Sequence, residues 1–378
     1  MSTPPPARPA VKAVYAPLDI ATDTVSLGIP RTPLSAHVPD PDGWVRAVLH
    51  TLDGRYTVDE VVARFAGSLS PGDIRAMVDT LAADGFLEDA AAPTPSGLTG
   101  SELVRYDRNA EFFSYFSDRR PNGFDGALPA TTRWSPQLTL KDASVTVVGL
   151  GGFGSHLALH LASLGVGHLT LVDDDTVETA NLNRHVLARD ADVGRPKVDA
   201  AAEHLRAINP LVDIVTSAVR VTCAADVEGW MLGADLVVCA ADRPRVDIDG
   251  WFNAAALRSG TPWLRGATVG LSAVVDLFVP GRTACAQCRL HPSDEGGDSN
   301  AHMLEQLRVD ARRGTSPVVS PVAGLLGSLA ALETTKLLTG VAPTVLLDHQ
   351  LVVDLLTTEL HHVPDRRVPG CATCSTPL

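Results

Sequence analysis

The chain is short of basic residues, aromatic residues and long apolar runs. Its 31 Lys and Arg are outnumbered by 44 Asp and Glu, a net charge of -13 over 378 residues. A nucleic-acid footprint needs a basic face, so no nucleic-acid partner is expected. No stretch of about 20 apolar residues is present, so no membrane span is expected. The opening "MSTPPPARPA" carries prolines and no apolar h-region, which argues against a secretory signal and for a cytoplasmic protein with a disordered tail over residues 1–10. Cysteine is also sparse, six residues in all, but four of them fall in two pairs, Cys285-x-x-Cys288 and Cys371-x-x-Cys374. Without export, metal binding is the expected use of such pairs, and four thiolates suit a structural Zn²⁺ with no open position for substrate.

What is present is an ordinary globular apolar content, 45%, over a length suited to two domains. The small-residue run "AAPTPSGLTG" reads as a linker, assigned to residues 93–102. The module before it, residues 11–92, opens with strand-like runs from Thr24 and Pro33. Helical stripes follow. Trp44, Val45, Val48, Leu49 and Leu52 share one face. Thr57 and Glu60 have capping-box spacing ahead of Val58, Val61, Val62 and Phe65. Ser70-Pro71 starts a third helix carrying Ile74, Met77, Val78 and Leu81, which Gly85 is placed to end. Strands followed by three short helices suggest a small winged-helix-like α+β module. Its third helix has one Arg against three Asp, so peptide capture by strand addition is expected before DNA binding. The stretch "LHTLDGRYTVDEVVARFAGSLSPGDIRAMVDTLAADGFLED" resembles the PqqD-like leader-peptide recognition element of ribosomal-peptide (RiPP) modification enzymes.

The larger part, residues 103–378, contains "VVGLGGFGSHLALHLASLGVGHLTLVDDD". Strand, glycine turn and helix follow one another there. Gly149, Gly151, Gly152, Gly154 and Ser155 form a turn whose backbone N–H groups, at a helix start, suit a phosphate. Alone, this pattern fits NAD as well as ATP. The sequel favours ATP. Asp173 ends the next strand-like run and suits ribose hydroxyls. Asp174 and Asp175 after it serve equally well as turn caps. Beyond them stand Asn181-x-x-Arg184 and Lys197, two cations suited to a triphosphate, and Asp242 ends a later run where a carboxylate suits Mg²⁺. Taken singly, Arg184 and Lys197 would be solvated surface charges. His156 and His160 read as helix-surface or core residues.

The combination G-x-G-G-x-G-S, D-x-D, N-L-x-R, P-K-V and a later Asp resembles the ThiF/MoeB, ubiquitin-activating-type adenylation family. The resemblance implies an α/β fold: a Rossmann-like ATP-binding domain with a mostly parallel sheet. It also implies ATP, Mg²⁺ and structural Zn²⁺ at Cys285, Cys288, Cys371 and Cys374. Asp173, with Asp175 nearby, would take the ribose. Arg184 and Lys197 would take the phosphates, Asn181 would shape their pocket and Asp242 would hold Mg²⁺. "RYDRN" resembles the family's R-Y-x-R-Q, which makes Arg108 a residue reaching into a homodimer partner's site. His185 replaces the family's usual Gln, and Arg243-Pro244 its usual Asn. His185 reads as a local hydrogen-bonding group or an acid/base.

The loop "LRVDARRGTSPVVS" lacks the cysteine found in the sulfur-transfer branches, and none lies between Cys288 and Cys371. The expected function is therefore ATP-dependent adenylation of a carboxylate on a ribosomally made precursor peptide, held through its leader. A separate modification enzyme is a possible further partner. Three alternatives stay open. One is a catalytically silent protein that delivers leader peptide to a cyclodehydratase. The others are a sulfur-carrier-protein adenylyltransferase and an NAD oxidoreductase.

Overall fold

The computed structural model describes residues 6–30, 35–116, 132–244, 247–290 and 317–374. The chain divides into two compact units, residues 1–139 with 339–343, and residues 140–338 with 344–378.

In the first unit, β1 (Pro9–Val11) pairs antiparallel with β5 (Leu87–Asp89). The pairing takes up part of the expected N-terminal tail; residues 1–5 lie outside the described residues. A separate antiparallel sheet runs β2 (Pro17–Ala21), β3 (Thr24–Leu27) and β4 (Ala36–Pro39). The start of the run expected from Pro33 lies outside the described residues.

Helices α1 (Trp44–Thr51), α2 (Val58–Arg64) and α3 (Pro71–Ala83) follow. They bury one shared apolar cluster that includes Val25, Leu27, Val48, Leu52, Val61, Ile74 and Val78. Trp44 lies on the expected stripe yet stays 39% exposed. The capping box forms: Thr57 Oγ1 accepts from Glu60 N, and Glu60 Oε2 accepts from Thr57 N at 2.7 Å. Thr57→Ala is expected to remove about 1 kcal/mol of stability from this unit of the full chain, read as a lowered denaturation midpoint. An unchanged midpoint would mean that the cap is idle. α4 (Gly100–Arg105) starts on a second such box, Thr99 with Glu102, and α5 (Asp107–Ser114) follows.

α6 (Ser135–Asp142) carries the chain across the division into an eight-stranded sheet of order β13-β12-β11-β10-β9-β6-β7-β8. β6 (Ser144–Val148), β7 (His168–Val172), β8 (Asp213–Ser217) and β9 (Leu236–Cys239) pair in parallel, and β10 (Trp263–Val269) joins β9 in parallel. The short apolar runs Val145–Val148 and Leu236–Cys239 are almost wholly buried, as strands covered on both faces must be. β11 (Ser272–Phe278), β12 (His349–Asp354) and β13 (Leu360–Pro364) extend the sheet antiparallel.

Among the described residues the α-helices of this unit are α7 (Gly152–Leu164), α8 (Lys197–Ile208), α9 (Ala224–Met231), α10 (Asp247–Ser259), α11 (Ala286–Leu290) and α12 (Ser320–Thr339). The α/β, Rossmann-like expectation thus holds, with a β-rich N-terminal module. Among the described residues no helix is long and apolar enough to cross a membrane. From β6 the chain moves one way to β7 and β8, whereas β9 and β10 lie on its other side. A crevice is expected at the carboxyl ends of β6 and β9, where the strand order reverses.

Candidate active site

A cavity of about 580 Å³ opens at that reversal. It is lined from the ends of β6 (Gly149, Gly151, Gly152), β7 (Asp173, Asp175) and β9 (Asp242), with Asn181, Arg184 and Lys197.

The glycine turn is built as the chemistry requires. Gly149 has φ of +97°, and a Cβ there would lie 2.5 Å from Ala241 N. A Cβ on Gly154 would sit 1.9 Å from Gly149 O, so only glycine lets the first turn of α7 close on the end of β6. Gly151 faces open space, as a backbone receiving a ligand should. Arg184 lies against Gly152: a Cβ there would meet Arg184 Cγ at 3.2 Å. Gly154 and Ser155 stand behind the cavity wall. Ser155 is fully buried; its Oγ donates to Gly152 O at 3.0 Å and accepts from Val186 N at 3.3 Å. It braces the turn against the segment that carries Arg184.

Asp173 braces the turn from the other side. Its Oδ2 accepts from Leu150 N at 2.6 Å and its Oδ1 from Asp175 N at 2.9 Å. Burial raises its carboxyl above the usual carboxylate range, against the pull of Lys197 and the two N–H groups. The Lys197 ammonium is 2.8 Å from Asp175 Oδ2 and 3.8 Å from Asp173 Oδ1. Lys197 begins α8, placed by the hydrogen bond from its N–H to Asp175 O at 3.0 Å.

Arg184 follows a short 3₁₀ turn, Thr179–Asn181, closed by Asn181 Oδ1 accepting from Glu178 N at 3.0 Å. Its guanidinium donates to Ala180 O and Asn183 Oδ1, both at 2.9 Å. Both cations thus rest on protein acceptors, Arg184 on exposed ones. His185 is buried, and burial together with the Lys197 charge pulls its pKa down to about 4. It is neutral at neutral pH.

Asp242 is exposed at the cavity wall beyond the end of β9. Arg108 lies on α5, in the other unit; its exposed guanidinium pairs with Glu111 one turn on. Arg220, Asp249 and Arg265 also line the cavity, and sequence reasoning missed them. No motif contains them; the only signal is a charged residue just after a strand-like run, as in "WLRGATV".

The four paired cysteines meet. Sγ–Sγ separations are 3.7 Å for Cys285–Cys288, 3.9 Å for Cys285–Cys371 and 3.5 Å for Cys288–Cys374. All four sulfurs lie within 4.8 Å of one another. Ligands about 2.3 Å from a tetrahedral Zn²⁺ stand roughly 3.8 Å apart, so the donor set fits that ion. Backbone N–H groups of Cys288 and Val368 each point at a sulfur from 3.4 Å, a common second shell for thiolates.

Comparison with known proteins agrees with this geometry. The ThiF family model matches residues 119–373. The molybdopterin-synthase adenylyltransferase of Escherichia coli K12 is 31% identical over 278 residues, 73% of this chain and 98% of the relative. The sulfur carrier protein ThiS adenylyltransferase of the same strain is 31% identical over 239 residues, 63% of this chain and 88% of the relative. Among solved structures, E. coli MccB with AMPCPP and MccA superposes with a TM-score of 0.76 at 20% identity, covering 97% of this chain and 99% of that one. The chain belongs to the ThiF family and is an adenylyltransferase.

Proposed function

We propose that this enzyme adenylates a carboxylate on a ribosomally made precursor peptide whose leader is held by the N-terminal module. One observation carries the reading. The fold shared with MccB, a microcin C7 biosynthetic enzyme solved in complex with N-formylated MccA, extends over 97% of this chain, whereas the molybdopterin-synthase relative aligns with 73%. The N-terminal module therefore has a counterpart in a protein solved with a peptide. The chain also lacks a cysteine between Cys288 and Cys371, where a sulfur-carrying step would need one.

In the proposed reaction a carboxylate oxygen attacks the α-phosphorus of ATP. The bond to the β-phosphate breaks, and pyrophosphate leaves with the electron pair. The glycine turn donates backbone N–H groups to phosphate, Asp173 takes the ribose with Asp175 beside it, and Arg184 and Lys197 offset the charge that grows on the phosphates. Asn181 holds the Arg184 turn, while Gly154 and Ser155 brace the glycine turn from behind. Asp242 would hold Mg²⁺, which would offset charge on the phosphates. Cys285, Cys288, Cys371 and Cys374 would hold structural Zn²⁺. Arg108 is assigned to the site of a homodimer partner. Leader capture is assigned to strand addition on the β2-β3-β4 sheet.

Sulfur-carrier activation is the second reading, favoured by the identity with the molybdopterin-synthase and ThiS adenylyltransferases. ATP–pyrophosphate exchange separates the two. Candidate precursor peptides encoded beside the gene are compared with a small sulfur-carrier protein. Exchange is expected with a peptide and is expected to weaken when its leader is removed. Exchange with the carrier protein alone would overturn the peptide reading. Peptide binding without exchange, in the presence of Mg²⁺, would mark a silent carrier.

A further inference from the structure

The cavity crosses the carboxyl ends of five neighbouring strands. Arg220 lies beyond β8, Asp173 beyond β7, the glycine turn beyond β6, Asp242 beyond β9, and β10 contributes Arg265 through Val269. Adenosine on the β7–β8 side and phosphate above the turn leave the β9–β10 side for the acid. β10 is two strands from β6, about 10 Å at the usual strand spacing, which suits a group beside an α-phosphate.

Two cations line that side, Arg243 on the exposed segment after Asp242 and Arg265 on β10; Arg265 is the one fixed by side-chain partners. Its Nε is 2.8 Å from Asp249 Oδ1 on α10, and its Nη1 is 3.9 Å from Asp276 Oδ2 on β11. Asp276, 1% exposed, is already engaged by Arg289 and by Gln350 Nε2 at 2.7 Å. Arg289 is itself fixed by Asp365 at 2.6 Å and by stacking over Phe278. Asp276 is thus too committed to draw Arg265 away from the cavity. The Arg265 side chain remains 28% exposed, and among the described residues its terminal nitrogens have no acceptor within hydrogen-bond reach. A planar guanidinium in ion-pair contact with Asp249 through Nε, with its side chain at the wall of a cavity, matches a carboxylate.

We propose that Arg265 receives the carboxylate to be activated, and that Asp249 is the positioning residue that aims its guanidinium. The proposal rests on the adenylation reading and adds its acid subsite. An ionised acid must approach an anionic triphosphate, and a fixed cation on the far side lowers that repulsion. No proton moves in the step: one carboxylate oxygen bonds to phosphorus, and the other becomes the acyl carbonyl, still facing Arg265.

The test measures binding of two defined probes, AMP and alanyl-sulfamoyladenosine, a stable acyl-adenylate mimic, by calorimetry on the full chain. Wild type is expected to bind the acylated probe more tightly. Arg265→Gln is expected to weaken the acylated probe about tenfold, the scale of one hydrogen bond to a charged group, and to leave AMP within about twofold. Arg265→Lys is expected to recover part of the loss. Asp249→Asn is expected to weaken the acylated probe and not AMP. Unchanged affinity of Arg265→Gln for the acylated probe would overturn the proposal while leaving adenylation standing. Failure of wild type to bind either probe would overturn both.

Discussion

Arg184→Ala is expected to slow acyl-adenylate formation about 10²–10³-fold, the usual effect of removing one preorganised donor from a developing charge, with little change in stability. Both halves follow from where the guanidinium rests. Its two partners, Ala180 O and Asn183 Oδ1, are exposed. Losing such bonds costs little, because water replaces them. Its stem lies over Gly152, on the wall of the phosphate site, so its reach into that site is short.

Lys197→Ala makes the instructive contrast. That side chain is 8% exposed, and its ammonium is the cation between Asp173 and Asp175. Removing it strips a buried carboxylate of its countercharge. The variant is therefore expected to lose both activity and stability, and Asp173 to shift further toward its neutral form. Pyrophosphate exchange and a denaturation curve on each variant decide the matter. Wild-type exchange by Arg184→Ala would remove the phosphate assignment. A stable but inactive Lys197→Ala would mean that the ammonium serves ATP alone.

The difference between these two cations also marks what could be read beforehand. Local features were legible because a few neighbouring residues fix them: the Thr57–Glu60 box, the strand–glycine turn–helix unit at Gly149–Ser155, and the two C-x-x-C pairs. Spacing placed Arg184 and Lys197 at one cavity. It gave no sign that Lys197 rests on Asp175 or that Ser155 turns inward, because those contacts depend on how α8 and the 180s segment pack. Arg265 was illegible for a similar reason. It belongs to no motif, and it becomes a wall of the site only because β10 joins the parallel side of the sheet beside β9. The β11–β12 pairing was hidden too, because its two segments lie roughly 80 residues apart, and β13 enters the sheet only by pairing with β12. The cavity wall sets five cations, Arg184, Lys197, Arg220, Arg243 and Arg265, among six carboxylates, Asp173, Asp174, Asp175, Glu178, Asp242 and Asp249.

Removal of zinc is expected to have the other large effect, on structure before chemistry. Cys285 and Cys288 flank the start of α11, and Cys371 and Cys374 lie past the end of β13, so the ion would close a loop of about 80 residues. Structural zinc sites in small domains are worth on the order of 10 kcal/mol, because nothing else folds them. Here the sheet has its own core, in which Trp263, Phe252 and Phe278 pack together, so only part of that energy should appear as global stability. The loss should concentrate in the clip itself. Arg289 follows Cys288 directly and holds Asp365, one residue beyond β13. Freeing the sulfurs would loosen that ion pair and fray β13, whose residues are all exposed. Chelation is expected to release one Zn²⁺ per chain, lower the melting temperature, and raise amide exchange across residues 360–374 well before the strands at β6 and β9 respond. Cys374→Ser should reproduce the exchange pattern without chelator. A chain that releases no metal, or whose C-terminal amides exchange identically after chelation, would show that the four thiols meet without an ion to hold them.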